Sequence, residues 1–184
     1  MAILIWVLIG VVAFLAIITF IYFNRFAVLG NRIDNSLSQI NVQLKRRAEL
    51  IPNLIETVKG FASHEKAAIK AVTDARKALM GAEGLDAKLK ADKGLESALK
   101  SIFALAEGYP DLKANTNFLE LQKELAATED KVAYSRQYYN DSIMRYNDLC
   151  KTFPGIMFAK MFGKAPEDYL QIEEAQKEPV KVKF

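Results

Sequence analysis

The sequence predicts an all-α protein, in which an N-terminal single transmembrane helix is followed by an elongated antiparallel up-and-down four-helix bundle. Three observations predict this fold class. Residues 2–23 carry no charged side chain. Apolar residues then recur every three or four positions, as they do along one face of a helix. Short runs containing glycine, proline or asparagine separate the periodic stretches.

The first element is the membrane anchor, residues 1–23. A helix over residues 2–23 would span roughly 33 Å at about 1.5 Å per residue, which is enough for the hydrocarbon core of a bilayer. Trp6 and Tyr22 lie near its ends, where aromatic side chains favour the membrane interfaces. The first basic residue, Arg25, follows the apolar run, whereas a secretory signal peptide carries basic residues before it. We therefore expect the segment to stay attached, with Trp6, Tyr22 and Arg25 as its interfacial residues.

The side of the membrane is predicted from the arginines that follow the anchor. Arg25 and Arg32 lie close behind the apolar run, and only the free amino terminus precedes it. Because lysine and arginine are enriched in short cytoplasmic segments, the sequence favours an outside N-terminus and a cytoplasmic soluble domain. An extracytoplasmic domain is the alternative.

The bundle is predicted over residues 24–152, and its first helix continues directly from the anchor. Between Phe23 and Ile33 the sequence gives no turn signal beyond Gly30. Pro52 lies within the periodic run and predicts a kink or pause near residues 50–51. The buried seam of this helix is formed by apolar residues in helical spacing: Ile33, Leu37, Ile40, Leu44, Ile51, Leu54, Val58 and Phe61.

Three further helices complete the predicted bundle. The second begins after Ser63, a residue type that caps helix N-termini, and ends at Met80. The third covers residues 86–107, and the fourth begins near residues 115–117 and ends at about Lys151. Because the connections are short, neighbouring helices should run antiparallel.

Unequal helix lengths predict an uncovered stalk. Helices one and four have close to forty residues and helices two and three about twenty, so the short pair covers only half of the long pair. Seam residues near the membrane would stay half exposed, and contiguous apolar surface usually binds a partner. We expect self-association, or binding of an envelope protein, through a stalk interface of Leu37, Ile40, Leu44, Val132 and Tyr139, of which all but Leu44 should be half exposed.

Residues 153–184 are predicted to form an apolar membrane-proximal segment and a polar C-terminal tail. The run FPGIMFAKMFG, residues 153–163, could lie in the headgroup layer as an interfacial helix. It could also fold back as a plug beneath the stalk. Either placement assigns lipid or stalk contacts to Phe153, Ile156, Phe158 and Phe162. The polar remainder from Glu167 is expected to fray.

The composition offers little for catalysis. The net charge of +3 is too small for nucleic acid to be the main partner, and the chain has one histidine and one cysteine. His64 lacks a Glu-x-x-His partner because Phe61 occupies the required position, so we assign it to a cap or to the surface. Cys150 is expected to be a packed thiol. The sequence thus predicts a non-enzyme without cofactor, metal or small-molecule substrate.

A basic run, Lys45 to Arg47, has two structural explanations. On a continuous helix it would lie roughly 30 Å beyond Asn24, too far for contact with the parent bilayer. It is either a solvated face or pairs with acidic residues of the fourth helix, such as Glu129 and Asp130.

The stretch NSLSQINVQLKRRAELIPNLIETVKGFA, residues 35–62, closely resembles the bacterial LemA family. Further similarities are the run YPDLKAN at residues 109–115 and a cluster of Tyr138, Tyr139, Asn140, Tyr146 and Asn147. The resemblance implies a helical bundle anchored in the bacterial cytoplasmic (inner) membrane. It also implies relatives associated with membrane-organelle formation, but it implies no reaction.

Three functions are compatible with these features. The leading hypothesis is a membrane scaffold that assembles with itself or with envelope proteins. The alternative is a regulatory adapter that binds a membrane protease or an envelope-stress system one to one. An enzyme that uses His64 or Cys150 is the third.

Overall fold

The computed structural model describes residues 1–170, and all regular structure in that part of the chain is helical. The elements are α1 (Ala2–Phe61), α2 (Lys66–Gly81), α3 (Leu85–Ala106), α4 (Pro110–Lys113), α5 (Thr116–Lys151) and α6 (Gly155–Met161). The predicted all-α class is confirmed. The four predicted helices correspond to α1, α2, α3 and α5, and the short α4 and α6 lie before and after α5.

α1 continues from the apolar N-terminal run into the helical domain without interruption. Its residues 2–23 are exposed almost throughout, including Trp6 at 73%. This part of α1 is long and apolar enough to cross a membrane. The prediction that the anchor and the first domain helix form one continuous helix is confirmed.

The chain folds into two compact units. One, the anchor unit, contains residues 1–36 together with the chain from Gln137 onward, and the other, the core unit, contains residues 37–136. The predicted limits 1–23, 24–152 and 153–184 are not the limits of these units and stay a prediction.

The interior of the core unit follows the helical periodicity of the sequence. On α1 the buried positions recur every three or four residues, so that one face of the helix is covered. Helices α2, α3 and α5 contribute their own apolar positions to the same interior. The buried apolar residues are Ile40, Leu44, Ala48, Ile51, Leu54 and Val58 on α1, Val72 and Leu79 on α2, Leu95, Leu99 and Ile102 on α3, and Phe118, Leu125 and Val132 on α5. Phe61, predicted in the α1 seam, is 43% exposed, and its assignment to the seam is wrong.

Pro52 lies inside α1 but does not interrupt it. A proline in a helix leaves the carbonyl four residues earlier without its N–H donor. Here that carbonyl belongs to the buried Ala48, and the Nε of Arg76 on α2 donates to it at 2.8 Å. The predicted pause near residues 50–51 is therefore wrong, since a side chain from α2 replaces the missing backbone donor.

The helix starts differ in how well the sequence predicts them. Ser63 does not cap α2, which begins at Lys66 with Glu65 in the cap position and no side-chain cap. Backbone bonds close this turn instead, from the Glu65 N–H to the Ala62 carbonyl at 3.1 Å and from the Lys66 N–H to the His64 carbonyl at 2.9 Å. The start of α5 is as predicted, because the Asn115 Oδ1 accepts a bond from the Phe118 N–H at 3.0 Å.

The anchor unit has its own small apolar core. Phe26 of α1 packs against Tyr146 and Cys150 of α5 and Ala159 of α6, with partly buried apolar residues around them. α6 can come this close to α5 because its first residue is Gly155. A Cβ at that position would overlap the carbonyl oxygen of Leu149.

Candidate functional site

A buried ion triad joins three helices of the core unit. Arg47 of α1 is 2% exposed, and its Nη1 donates to both carboxylate oxygens of Asp92 on α3, at 3.0 and 3.1 Å. Its Nη2 donates to Glu129 on α5 at 3.0 Å. The predicted pairing of the basic run with Glu129 is confirmed for Arg47, and a solvated position is wrong for this residue. Lys45 and Arg46 remain exposed.

Burial controls the electrostatics of the triad. Loss of solvent raises the pKa of the Asp92 carboxyl, and the charge and hydrogen bonds of Arg47 only partly offset that rise. Two further polar atoms, the Arg47 Nε and the Gln43 Oε1 one helical turn earlier, are buried without a hydrogen-bond partner within the described residues. Arg47 thus fixes α1 against α3 and α5, and its burial shields the guanidinium group from solvent.

The second arrangement is a pair of asparagines on α5 in the anchor unit. The Asn147 side chain donates to the Glu167 carbonyl and accepts from the Glu167 N–H, both at 2.8 Å. Asn140 holds Leu170 in the same way, donating to its carbonyl at 3.4 Å and accepting from its N–H at 2.9 Å. We call these two the asparagine clamps.

The distance between the two asparagines matches the distance between the two residues that they bind. Seven residues separate the asparagines, a rise of about 10.5 Å along a helix. Three residues separate Glu167 from Leu170, about 10 Å in an extended chain. The expected fraying is therefore wrong for residues 167–170, because four hydrogen bonds hold two of them along α5. The rest of the predicted tail, 171–184, lies outside the described residues.

Replacing Asn147 by leucine should release this segment locally. Asn147 is 3% exposed, and loss of its two bonds should lower the protection of the Glu167 amide by about 1–2 kcal/mol, or roughly 5–30-fold in exchange rate. Hydrogen exchange of the full chain in detergent measures this. Asn140→Leu is the matched control and should act mainly on Leu170. Unchanged exchange at Glu167 in Asn147→Leu would show that the clamp does not hold the segment.

His64 and Cys150, the two residues with catalytic potential, lie in a surface turn and in a packed core, respectively. His64 is exposed in the turn between α1 and α2. Cys150 is buried, and this burial raises the pKa of its thiol, so the reactive thiolate is disfavoured. Cys150 is thus a packed thiol, as predicted. Within residues 1–170, no group of three or more His, Cys, Asp or Glu side chains could hold a metal ion.

The predicted stalk interface is largely internal. Ile40, Leu44 and Val132 are 0%, 3% and 4% exposed, so the expected half exposure of Ile40 and Val132 is wrong. The end of α2 and the first turn of α3 lie beside this part of α1, where the Lys88 Nζ donates to the Asn41 Oδ1 at 2.8 Å.

The other two members of that set, Leu37 in the core unit and Tyr139 in the anchor unit, are half-buried.

Some of the residues predicted at the anchor and in the C-terminal apolar run are in contact with one another. The Tyr22 ring stacks on Phe158 at 4.5 Å, and the Arg25 Cζ lies 5.7 Å from the centre of the Tyr22 ring. Phe162 contacts Phe23 edge to face at 5.5 Å.

One face of α6 therefore packs on α1. Ile156 is half-buried, whereas Phe153, Met157 and Met161 remain exposed at 81%, 62% and 57%.

These features define an all-helical protein with one N-terminal helix suited to membrane anchoring. The chain belongs to the LemA family, whose sequence model matches residues 36–184. The resemblance found in the sequence is confirmed, and the protein is membrane-associated as a member of that family.

Named relatives cover most of the chain. It is 25% identical to the magnetosome protein MamQ 2 of Paramagnetospirillum magneticum, over 93% of this chain and 72% of that protein. It is 24% identical to the magnetosome protein MamQ of Magnetospirillum gryphiswaldense, over 94% and 74%. Protein LemA of Metamycoplasma hominis is 27% identical over 67% of this chain and 57% of its own length.

Proposed function

We propose that the protein is a non-enzymatic scaffold of the bacterial inner membrane, which presents an antiparallel four-helix bundle for self-association. The observation that carries this proposal is the continuity of α1. One uninterrupted helix supplies both an exposed apolar segment at residues 2–23 and the buried seam of the core unit. The relatives named as magnetosome proteins support a role in membrane organisation.

The bundle arrangement is supported by the direction of the contacts within the core unit. Arg47 lies 3.0 Å from Glu129. Further along α1, Leu50, Asn53, Glu56 and Thr57 line one pocket with residues 117–124 of α5. As residue numbers rise on α1 they fall on α5, which is the antiparallel order of an up-and-down bundle.

The absence of catalysis is proposed from the use of the ionisable groups. In the described residues, the buried ionisable groups take part in structural contacts, namely the contacts of Arg47 with Asp92 and Glu129 and the packing of Tyr146 and Cys150. His64, the single histidine of the chain, is exposed in a turn. General acid–base chemistry needs a positioned group within reach of a bound substrate, and neither arrangement offers one.

The self-association surface is proposed around Val42 and Tyr134 rather than the buried seam. Val42 on α1 is 53% exposed and Tyr134 on α5 is 70% exposed. The Arg47–Glu129 contact sets the register of the two helices, and each residue lies five positions from it, Val42 before Arg47 and Tyr134 after Glu129. In antiparallel helices these two side chains lie at the same level. Exposed apolar side chains at one level are suited to bind a second copy.

Changing Val42 and Tyr134 to lysine should disperse the assembly. The double variant places two charges where apolar surface would be buried, so the detergent-extracted protein should shift from one large species to the monomer. Mass measurement of the extracted complex reads this out. Gln122→Lys adds one such charge at an exposed position of α5 and should leave the assembly intact, whereas Tyr134→Lys alone should weaken it. A wild-type monomer at micromolar concentration would contradict the scaffold, and a one-to-one complex with a protease would favour the adapter.

We further propose that the soluble domain lies in the cytoplasm. Arg25 and Arg32 follow the apolar segment, and this placement supports an outside N-terminus. Ser63 is exposed between α1 and α2, which makes Ser63→Cys a suitable probe. A membrane-impermeant maleimide should label it only after the cells are permeabilised, and labelling in intact cells would place the domain outside.

A further inference from the structure

A groove lies between α1 and α5 within the anchor unit. It is open to solvent, with a volume of about 750 Å³. α1 contributes lining residues between positions 21 and 32, α5 contributes Arg145, Asp148 and Leu149, and Thr152 follows directly after α5. One wall is thus the part of α1 in which the apolar segment ends and the first charged residues begin.

The groove is strongly basic. Arg25 and Arg32 of α1 and Arg145 of α5 line it, against one carboxylate, Asp148. Within residues 1–170 none of the three arginines forms an ion pair, although Arg25 lies over the Tyr22 ring. One planar guanidinium group can donate two parallel N–H hydrogen bonds to the oxygens of a phosphate. The charge of the groove and its guanidinium donors therefore make it suitable for binding an anion.

The groove is also apolar at the end nearest the membrane. Ile21 lies within the apolar segment, and Val28, Leu29 and Leu149 line the wall beyond it. At about 1.5 Å per residue, Arg25 lies roughly 3 Å and Arg32 roughly 13 Å past Phe23. The headgroup layer of a bilayer is about 5–7 Å thick on each side. The groove thus begins at the level of the acyl chains and crosses the level of the phosphates.

We propose that this groove binds an anionic phospholipid, with the phosphate held by Arg25, Arg32 and Arg145 and the upper acyl chain against Ile21. A soluble anion would use only the arginines and would leave the apolar end unexplained. A zwitterionic lipid brings a cation that the arginines repel. The inference rests on the membrane anchoring of α1 and not on self-association, so the two can fail separately.

Native mass spectrometry of the full chain, released from detergent with equal amounts of phosphatidylglycerol and phosphatidylcholine of the same acyl chains, tests the proposal. We expect the anionic lipid to be retained preferentially. Each basic residue near a membrane surface contributes about 1 kcal/mol, so each Arg→Gln change should weaken phosphatidylglycerol binding about fivefold. The triple variant should lose the preference.

Matched variants separate the site from general charge. Lys151→Gln removes one positive charge at the same end of α5 from a side chain that does not line the groove, and it should leave lipid binding unchanged. Asp148→Asn removes the single carboxylate and should strengthen binding, an effect that damage to the fold cannot produce.

Three results would overturn the proposal. Equal retention of the two lipids would exclude charge recognition, and an unchanged preference in the triple variant would place the lipid elsewhere. Inorganic phosphate or glycerol phosphate that competes at the same concentration as the lipid would make the ligand a soluble anion. Circular dichroism of each variant checks that the helices are retained.

Discussion

Arg47→Leu is expected to lower the free energy of unfolding at neutral pH by about 3–5 kcal/mol, because it leaves the Asp92 carboxylate charged, enclosed and unpaired. Asp92 is 7% exposed, and Arg47 donates to both of its oxygens. Glu129, with its side chain 48% exposed, can recover its hydration. Urea denaturation of the full chain in detergent, followed by far-UV circular dichroism, measures the change.

Two controls define the origin of that loss. Arg46→Leu removes a charge from the neighbouring position, where both partners of the contact with Glu124 are about half exposed, and it should cost less than about 1 kcal/mol. The double change Arg47→Leu with Asp92→Leu removes the enclosed carboxylate as well and should restore most of the stability. A double variant as unstable as the single one would show that the loss comes from packing.

The loss in Arg47→Leu should also depend on pH. Burial raises the pKa of Asp92 above its ordinary 3.8, and the variant lacks the Arg47 charge and hydrogen bonds that offset this rise. A carboxyl whose pKa is higher in the folded state binds more protons there, so its contribution to stability falls as pH rises through that range. The difference from wild type should be smallest below pH 3.8 and reach its full size at neutral pH. A pH-independent difference would contradict an unpaired Asp92.

Arg76→Met is expected to cost about 2–3 kcal/mol, because the Ala48 carbonyl would be left buried without a donor. Methionine keeps most of the apolar stem of arginine but cannot donate to that carbonyl. Lys77→Met, at the exposed neighbouring position, should change stability little. The same denaturation experiment measures both variants.

Pro52→Ala should rescue Arg76→Met. Alanine restores the backbone N–H that normally bonds the carbonyl four residues earlier, and here that carbonyl is Ala48. In the wild-type background the same change should gain much less, since Arg76 already donates to this oxygen at 2.8 Å. If Pro52→Ala stabilises both backgrounds equally, Arg76 does not substitute for the proline's missing donor.

The sequence predicts well what depends on neighbouring residues along one helix. Ile40, Leu44, Ile51, Leu54 and Val58 are buried as their spacing predicts, because a 3.6-residue period places them on one face. The same holds for the apolar segment at residues 2–23 and for the start of α5 near residues 115–117. Each of these signals lies within a few residues of the structure that it specifies.

Contacts between distant residues were not predictable in the same way. Arg47 meets Asp92 over 45 positions, and Arg76 meets Ala48 over 28. A helical period describes which face a residue occupies and carries no information about its partner on another helix. Asp92 did leave one signal, a carboxylate at a position where the apolar pattern between Leu89 and Leu95 of α3 favours burial. The prediction that Ile40 and Val132 are half exposed was wrong for a related reason. Helix lengths alone do not specify which residues of α1 lie beside the α2–α3 turn.

The asparagine clamps constrain the number of residues between the bonded positions more than the residue types of the segment that they bind. They bond only main-chain atoms of Glu167 and Leu170, so the four bonds need no particular side chain, although the Leu170 side chain is itself buried. Inserting one residue between Asn140 and Asn147 would instead rotate one amide by about 100° around α5. The tail could then engage one asparagine and lose the other. Substitution of the exposed Glu167 should thus be harmless, whereas a single insertion or deletion in α5 beneath this segment should break half of its attachment.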